Sequence, residues 1–335
     1  MHAPEFWKHQ NDVTAIEHFK SQMLRPCGWA YGKITAIKTG LAAKPFVASV
    51  PVICIGNLTV GGSGKTPTAV AVMERLKKIG TNAHFLTRGY GGRLSGPVQV
   101  DLARHTYKDV GDEALILAQT APTWKSPDRV QGARSAIKAG AEAIVMDDGF
   151  QNPSLHKDLS LIVVDGDYGF GNGRMMPSGP LRESLSKGIK RAKGFILIGD
   201  DRHCALDSVG IPVIKARTQT HDWADILKQN PVMAFAGMGR PQKFFDAIVR
   251  TGGNLITRFP FPDHFAYDRR HLQPILDAAR GKNAIVVTTE KDMMRVPVHL
   301  QGNIHVLPLS LDWDDPDQLD RMITATLDTK NRSAR

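Results

Sequence analysis

Val52-Ile53-Cys54-Ile55-Gly56-Asn57-Leu58-Thr59-Val60-Gly61-Gly62-Ser63-Gly64-Lys65-Thr66-Pro67 joins an apolar run to a glycine-rich loop that ends in Gly-Lys-Thr. Glycines at 61, 62 and 64 and the small Ser63 let backbone N–H groups approach phosphate oxygens. Lys65 can reach the outer phosphates, and the Thr66 hydroxyl can hold Mg²⁺. The segment that follows carries Ala69, Val72, Met73, Leu76 and Ile79 at helical spacing, with Gly80 as a C-terminal stop. Such a helix aims its positive end at the same anion. Strand, loop and helix in this order predict a nucleotide-triphosphate site in a parallel sheet. The strict pattern asks for glycine where this chain has Thr59, and a glycine turn without ligand is the alternative.

Apolar runs recur at 83–86, 143–146, 161–164, 195–198, 232–235 and 284–287, with helix-like segments between many of them. The alternation predicts an α/β chain: a P-loop NTPase-like, doubly wound, mostly parallel sheet with a second, smaller α/β domain. At 335 residues there is room for both. Val213–Gln219 reads as an extended connector, which places the domains at 46–220 and 221–328, behind an N-terminal segment 1–45. Gly237-Met238-Gly239 is a tight turn rather than a dinucleotide site, because a third glycine is missing.

The net charge of +10 suits an anionic substrate, a nucleic acid or a membrane surface. Residues 21–50 hold Arg25, Lys33, Lys38 and Lys44 and no acid, and a second basic cluster comprises Arg182, Lys187, Lys190, Arg191 and Lys193. No aromatic-rich basic motif accompanies them, so nucleic acid is not expected. Cys27, Cys54 and Cys204 form no C-x-x-C pair, which suggests neither a zinc site nor a disulfide framework and favours a reducing compartment. No apolar run spans a bilayer and no signal-peptide layout is present. Ala30, Ile34, Ile37 and Leu41 share a helical stripe flanked by Lys33 and Lys38. Such a helix can lie in a membrane interface or pack on the protein's own core.

Ala143–Met146 ends in Asp147-Asp148-Gly149, the layout of a strand whose carboxylates hold Mg²⁺ beside a P-loop. Val163-Val164-Asp165 is a second instance. The doubled acid and tight turn favour Asp147. Gly111-Asp112-Glu113 opens a helical segment, where Asp112 reads most simply as an N-cap. Arg88-Gly89-Tyr90 follows the 83–86 strand, where a loop presents Arg88 and Tyr90 to a ligand or is only a flexible tip. His264 sits in Phe259-Pro260-Phe261-Pro262-Asp263-His264, a restricted loop that can tune a proton-transfer group or serve structure alone. Thr289-Glu290-Lys291-Asp292 has its lysine misplaced for a guanine-reading motif, which argues against a GTPase.

Together these segments, with Gly171-Asn172-Gly173 and Pro180-Leu181-Arg182-Glu183, resemble the tetraacyldisaccharide 4′-kinase family, the lipid A 4′-kinases of Gram-negative bacteria. The motifs stand in family order from about residue 50 to 295, and Thr59 belongs to the family's loop. The resemblance implies transfer of the γ-phosphate of ATP to the 4′-hydroxyl of an acylated glucosamine disaccharide 1-phosphate lipid, giving lipid IVA. It implies Asp112 as base assisted by His264, and Lys65 with Mg²⁺ neutralising the phosphoryl oxygens. Thr66, Asp147, Asp148 and Glu183 would surround the metal. Arg88, Tyr90, Arg129, Gln151 and Arg182 would contact substrate. It also implies peripheral or monotopic attachment to the anionic cytoplasmic face of the inner membrane, with no protein partner. A soluble-metabolite kinase and a nucleotide-driven switch are the competing readings. The polar stretch Met1–Lys20 has no assigned role.

Overall fold

The apolar runs assemble into two sheets. The computed structural model describes residues 3–41, 43–207, 209–220 and 223–333. Along the chain the strands are β1 Val52–Gly56, β2 Ala83–Thr87, β3 Val98–Gln99, β4 Thr123–Lys125, β5 Ala143–Asp147, β6 Leu159–Asp165, β7 Gly194–Ile198, β8 Val213–Gln219, β9 Pro231–Ala236, β10 Asn254–Pro260, β11 Ile285–Thr288, β12 His305–Val306 and β13 Ser310–Trp313. Among the described residues the larger sheet has the order β13-β8-β7-β6-β1-β5-β2-β4-β3, and the smaller β10-β9-β11-β12.

The seven central strands of the larger sheet run parallel, with antiparallel β3 and β13 at its edges. Strands β1, β2, β5, β6 and β7 are buried along their whole length, as a sheet covered on both faces requires. Ile53, Ile55, Val145 and Val163 pack on one face with Ala69, Val72, Met73 and Leu76 of the helix Lys65–Lys78. Val52, Cys54, Ile144 and Met146 pack on the other with Ala133 and Ala136 of the helix Arg129–Lys138. Ile79 does not join the core. It is the C-cap of its helix and 40% exposed, and Gly80 follows at φ +83° as the helix stop.

The described smaller sheet is parallel throughout, with helices Pro241–Arg250 and Arg269–Gly281 against its two faces. Two features differ from the expected division. Val213–Gln219 is a full strand rather than a connector. After β12 the chain returns: β13 pairs antiparallel with β8, and Leu319 and Ile323 of the final helix Pro316–Ser333 enter the core beside Ala69 and Val72. Arg75 Nε reaches Asp320 Oδ1 at 2.7 Å across that contact. The second lobe is therefore inserted in the first rather than appended to it. His221 and Asp222, where it was expected to begin, lie outside the described residues.

The N-terminal segment forms short 3₁₀ turns followed by helices Ala15–Met23 and Arg25–Gly40, so helical structure begins well before the expected stripe. The Lys38 side chain lies outside what is described. Asn172 anchors the segment: its Nδ2 donates to the Phe6 carbonyl at 2.7 Å and to Ser21 Oγ at 3.0 Å, and its N–H to the Trp7 carbonyl at 3.0 Å. Gly171-Asn172-Gly173 thus serves as a socket for the residues that had no sequence-derived role. Ile16, Phe19, Met23, Trp29, Ile34, Ile37 and Leu41 remain exposed.

Candidate active site

Register places the chemistry. β1 carries the P-loop at its carboxyl end, between β6 and β5, and Ile55 lies opposite Asp147. Both neighbours end in an acid, Asp165 and Asp147. Gly64 sits at φ +89°, where a side chain would be strained and a Cβ would meet Ile198 Cδ1 at 2.6 Å. Thr59 needs no such freedom. It forms an antiparallel bridge to Leu181, flanked by bonds from Val60 N to the Pro180 carbonyl and from Arg182 N to the Leu58 carbonyl, each 2.8 Å. The departure from the strict loop pattern is thus an extended residue clamped to the 180–182 segment. Asn57 Nδ2 donates to Ser63 Oγ at 3.0 Å and braces the loop from within.

Thr66 Oγ1 donates to Asp147 Oδ2 at 3.0 Å, while Lys65 Nζ stands 3.8 Å from Asp148 Oδ2. Asp147 is buried, and Oδ1 has no hydrogen-bond partner. Burial, with the nearby charges of Glu113 and Asp148, pushes its carboxyl up to about 7. Asp148 is held the other way: burial opposes its ionisation, but Lys65 and Arg182 outweigh it. Arg182 Nη1 bonds Asp148 Oδ1 at 2.8 Å. An orphaned buried oxygen among carboxylates, beside a threonine hydroxyl, is a donor set suited to Mg²⁺. Glu183 accepts from Gln151 Nε2 at 3.0 Å and is paired with Arg191.

The second cluster spans both lobes. Asp112 is not an N-cap: Gly111 takes that position at φ +90°, and Asp112 is the first residue of the helix Asp112–Ala118. Its Oδ1 accepts from Glu113 N at 2.9 Å, and its Oδ2 lies 3.1 Å from His264 Nδ1 and 3.5 Å from Arg295 Nε. Burial raises its pKa, but the His264 hydrogen bond and the charges of Lys291 and Arg295 prevail and hold it below the usual carboxylate range. His264 sits at φ +57°, a strained conformation for a side chain of this size. Its ring lies 5.2 Å from that of the exposed Tyr90, centroid to centroid.

Sequence reading did not anticipate Lys291 or Arg295. Lys291 Nζ reaches Glu113 Oε1 at 3.3 Å, His264 Nε2 at 3.4 Å and Asp263 Oδ1 at 3.6 Å. Burial pulls its pKa down, but Glu113, Asp112 and Asp263 more than offset it and keep the cation. Asp292 is fully buried and binds Gly237 N at 2.9 Å, Tyr267 Oη at 2.8 Å and Arg295 Nη2 at 2.5 Å. It holds the second lobe together rather than reading a base. Arg129 is buried, with Nη1 on the Ser126 carbonyl at 2.5 Å, and burial lowers its pKa. Arg88 is exposed. Asp165 pairs with Arg240 at 2.5 Å and Lys243 at 2.8 Å from the second lobe, and Arg240 also donates to the Gly62 carbonyl at 2.9 Å. The Gly237–Gly239 turn thereby delivers Arg240 onto the P-loop.

A family model described as Tetraacyldisaccharide-1-P 4′-kinase matches residues 20–328. The chain is 46% identical over 334 residues to the tetraacyldisaccharide 4′-kinase of Rhodospirillum centenum, covering 99% of this chain and 98% of the relative. It is 47% identical over 323 residues to that of Paramagnetospirillum magneticum, covering 95% and 97%. The fold is similar to the crystal structure of the "apo" form of LpxK from Aquifex aeolicus in complex with ATP, with a TM-score of 0.74 and 28% identity over 92% of this chain and 99% of that one.

Proposed function

The chain belongs to the tetraacyldisaccharide-1-P 4′-kinase family, and we propose that its cleft transfers the γ-phosphate of ATP to the 4′-hydroxyl of tetraacyldisaccharide 1-phosphate, producing lipid IVA for lipid A biosynthesis. The observation that carries this reading is the pairing of Asp112 with His264 across the lobes, with Glu113, next in chain, close enough to raise the Asp147 pKa. Phosphate-binding and proton-accepting groups therefore share one cleft.

Lys65 and the backbone N–H groups of residues 61–66 receive the phosphates. Thr66, Asp147 and Asp148 would hold Mg²⁺, with Glu183 set behind Gln151 and Arg191. A bound Mg²⁺ supplies charge neutralisation on the phosphoryl oxygens. The Asp112–His264 pair takes the proton of the 4′-hydroxyl as the new O–P bond forms and the bond to ADP breaks. Lys291 and Arg295 keep Asp112 ionised, which is the state a base requires. Tyr90 and Arg182 lie where they can touch the sugar or its phosphate. Gln151 bonds the Asn57 carbonyl and Glu183, Arg129 is buried on the Ser126 carbonyl, and Arg88 is exposed.

Attachment to the cytoplasmic face of the inner membrane is supported by the seven large apolar side chains left exposed along residues 16–41. Lys33 lies over the Trp29 ring at 5.4 Å, an arrangement suited to an interface. Lys187, Lys190 and Lys193 are exposed, Arg191 is exposed but paired with Glu183, and Arg182 turns in to Asp148. Among the described residues no helix is long and apolar enough to cross a membrane, which fits peripheral or monotopic attachment.

The test uses purified protein, γ-labelled ATP, Mg²⁺ and the disaccharide 1-phosphate lipid in mixed micelles. Label in a lipid product, lost on Lys65→Ala, is the expected result. Label released only as inorganic phosphate, whether or not lipid is present, overturns the reading in favour of a nucleotide-driven switch.

A further inference from the structure

We propose that His9, Asp12 and His203 bind one divalent transition-metal ion of the zinc type, which fastens the N-terminal segment to the loop between β7 and β8. Each residue offers a ligand atom, and these atoms lie within 4.8 Å of one another. His203 Nε2 is 3.8 Å from Asp12 Oδ2, and the His9 and His203 rings stack with centroids 4.5 Å apart. Among the described residues this is the single grouping of three histidine, cysteine, aspartate or glutamate side chains so placed.

Donor chemistry selects the ion. Two imidazoles and one carboxylate suit Zn²⁺ and its neighbours, whereas Mg²⁺ prefers an all-oxygen shell. Ligand bonds of about 2.0–2.1 Å put tetrahedral donors roughly 3.3 Å apart. The cluster must contract by an ångström or so, and the exposed Asp12 side chain can supply much of that by rotation. The Asp167 carbonyl lies 3.2 Å from His203 Nε2, so ligation through Nε2 replaces that hydrogen bond with the metal, whereas ligation through Nδ1 keeps it as the partner that orients the ring.

The backbone beside both histidines is anchored, so the three side chains meet before any ion binds. The Trp7 carbonyl accepts from Asn172 N and from Tyr168 Oη. On the other side, Ala205 N and Leu206 N both donate to the Asp201 carboxylate at 2.9 and 3.0 Å. Binding there would add a second link between this segment and the first lobe, further restraining the helices Ala15–Met23 and Arg25–Gly40 that follow it.

The test is a zinc titration of the full chain without an affinity tag, stripped with chelator and kept in excess Mg²⁺ so that the catalytic carboxylates are occupied. The parent is expected to bind about one equivalent that His9→Gln and His203→Gln each lose, with Asp12→Asn weakened roughly tenfold or more. Co²⁺ in place of Zn²⁺ should give a ligand-field spectrum in the parent and not in the histidine variants. Zinc should slow proteolysis of the N-terminal segment in the parent alone. Kinase activity in Mg²⁺ is expected to be unchanged by these substitutions. Equal zinc binding by the parent and all three variants, or none by the parent, overturns the proposal. Asp12 is exposed, so Asp12→Asn keeps the comparison available if a histidine variant fails to fold.

Discussion

His264 Nδ1 stands 3.1 Å from Asp112 Oδ2, although 152 positions of chain separate them and each belongs to a different lobe. On the mechanism proposed above, the proton acceptor exists only while the two lobes are in contact.

Asp112→Asn should lower kcat by about 10²–10⁴-fold, the range for loss of general base catalysis. ATP affinity, read by equilibrium binding, should change little, because no P-loop group touches Asp112. His264→Ala should cost a similar factor, and the double variant little more than either alone. Parallel loss of ATP affinity and turnover in Asp112→Asn would instead make it a nucleotide or metal ligand.

Asp147 makes a pH prediction with a definite sign. Its folded pKa of about 7 lies above the ordinary value of about 3.9. Between those limits the folded state holds a proton that the unfolded chain has released, so this group's contribution to stability is lost as pH rises through the window. Asp112, Asp148 and Asp165 have lowered pKa values and act oppositely. The readable quantity is therefore a difference. In urea melts without divalent cation, Asp147→Asn should gain stability relative to the parent as pH increases from about 4 to about 7. A constant difference across that range would refute the assignment.

Removing Asp165 leaves Arg240 and Lys243 facing each other with no carboxylate between them. Both cations are partly solvated, so Asp165→Ala should cost about 1–3 kcal/mol rather than the larger figure for a fully buried pair. The lobes should also separate more readily, seen as faster proteolysis between β8 and β9 and a larger radius of gyration in solution scattering.

Phe19→Ser and Ile34→Ser alter side chains that are 63% and 65% exposed, so melting should be unaffected. Binding to anionic vesicles should weaken by about tenfold for each, from the loss of about 1.5 kcal/mol of apolar burial. Vesicle binding equal to the parent would show that another surface meets the lipid.

What could be read from the sequence was what is local. The P-loop, its helix and the strand ending at Asp147 are contiguous segments whose residue order encodes their geometry. The parallel sheet followed from the repeat of apolar runs. Partnerships between distant segments were another matter. Asp112 looked like a helix cap because nothing nearby in sequence reveals His264 or Arg295. Thr289-Glu290-Lys291-Asp292 carries the resemblance but gives Lys291 no role in sequence, because that role comes from facing Glu113 and Asp263. The strands β3 and β13 are too short, with two and four residues, to leave an alternation signal. Asp165 resembled Asp147 in sequence, and only the approach of Arg240 and Lys243 tells them apart.

The return of β13 to the first sheet has a consequence for synthesis. β8, paired with β7 on its inner side, has no partner on its outer side until the whole inserted lobe has been made, and Leu319 and Ile323 arrive later still to cover Ala69 and Val72. A nascent chain paused within the second lobe therefore displays a P-loop domain with an open edge and an uncovered apolar face. In that state pairing with other strands competes with folding. Translation past Trp313 closes the edge, and with it the interval in which this kinase is most exposed to misassembly.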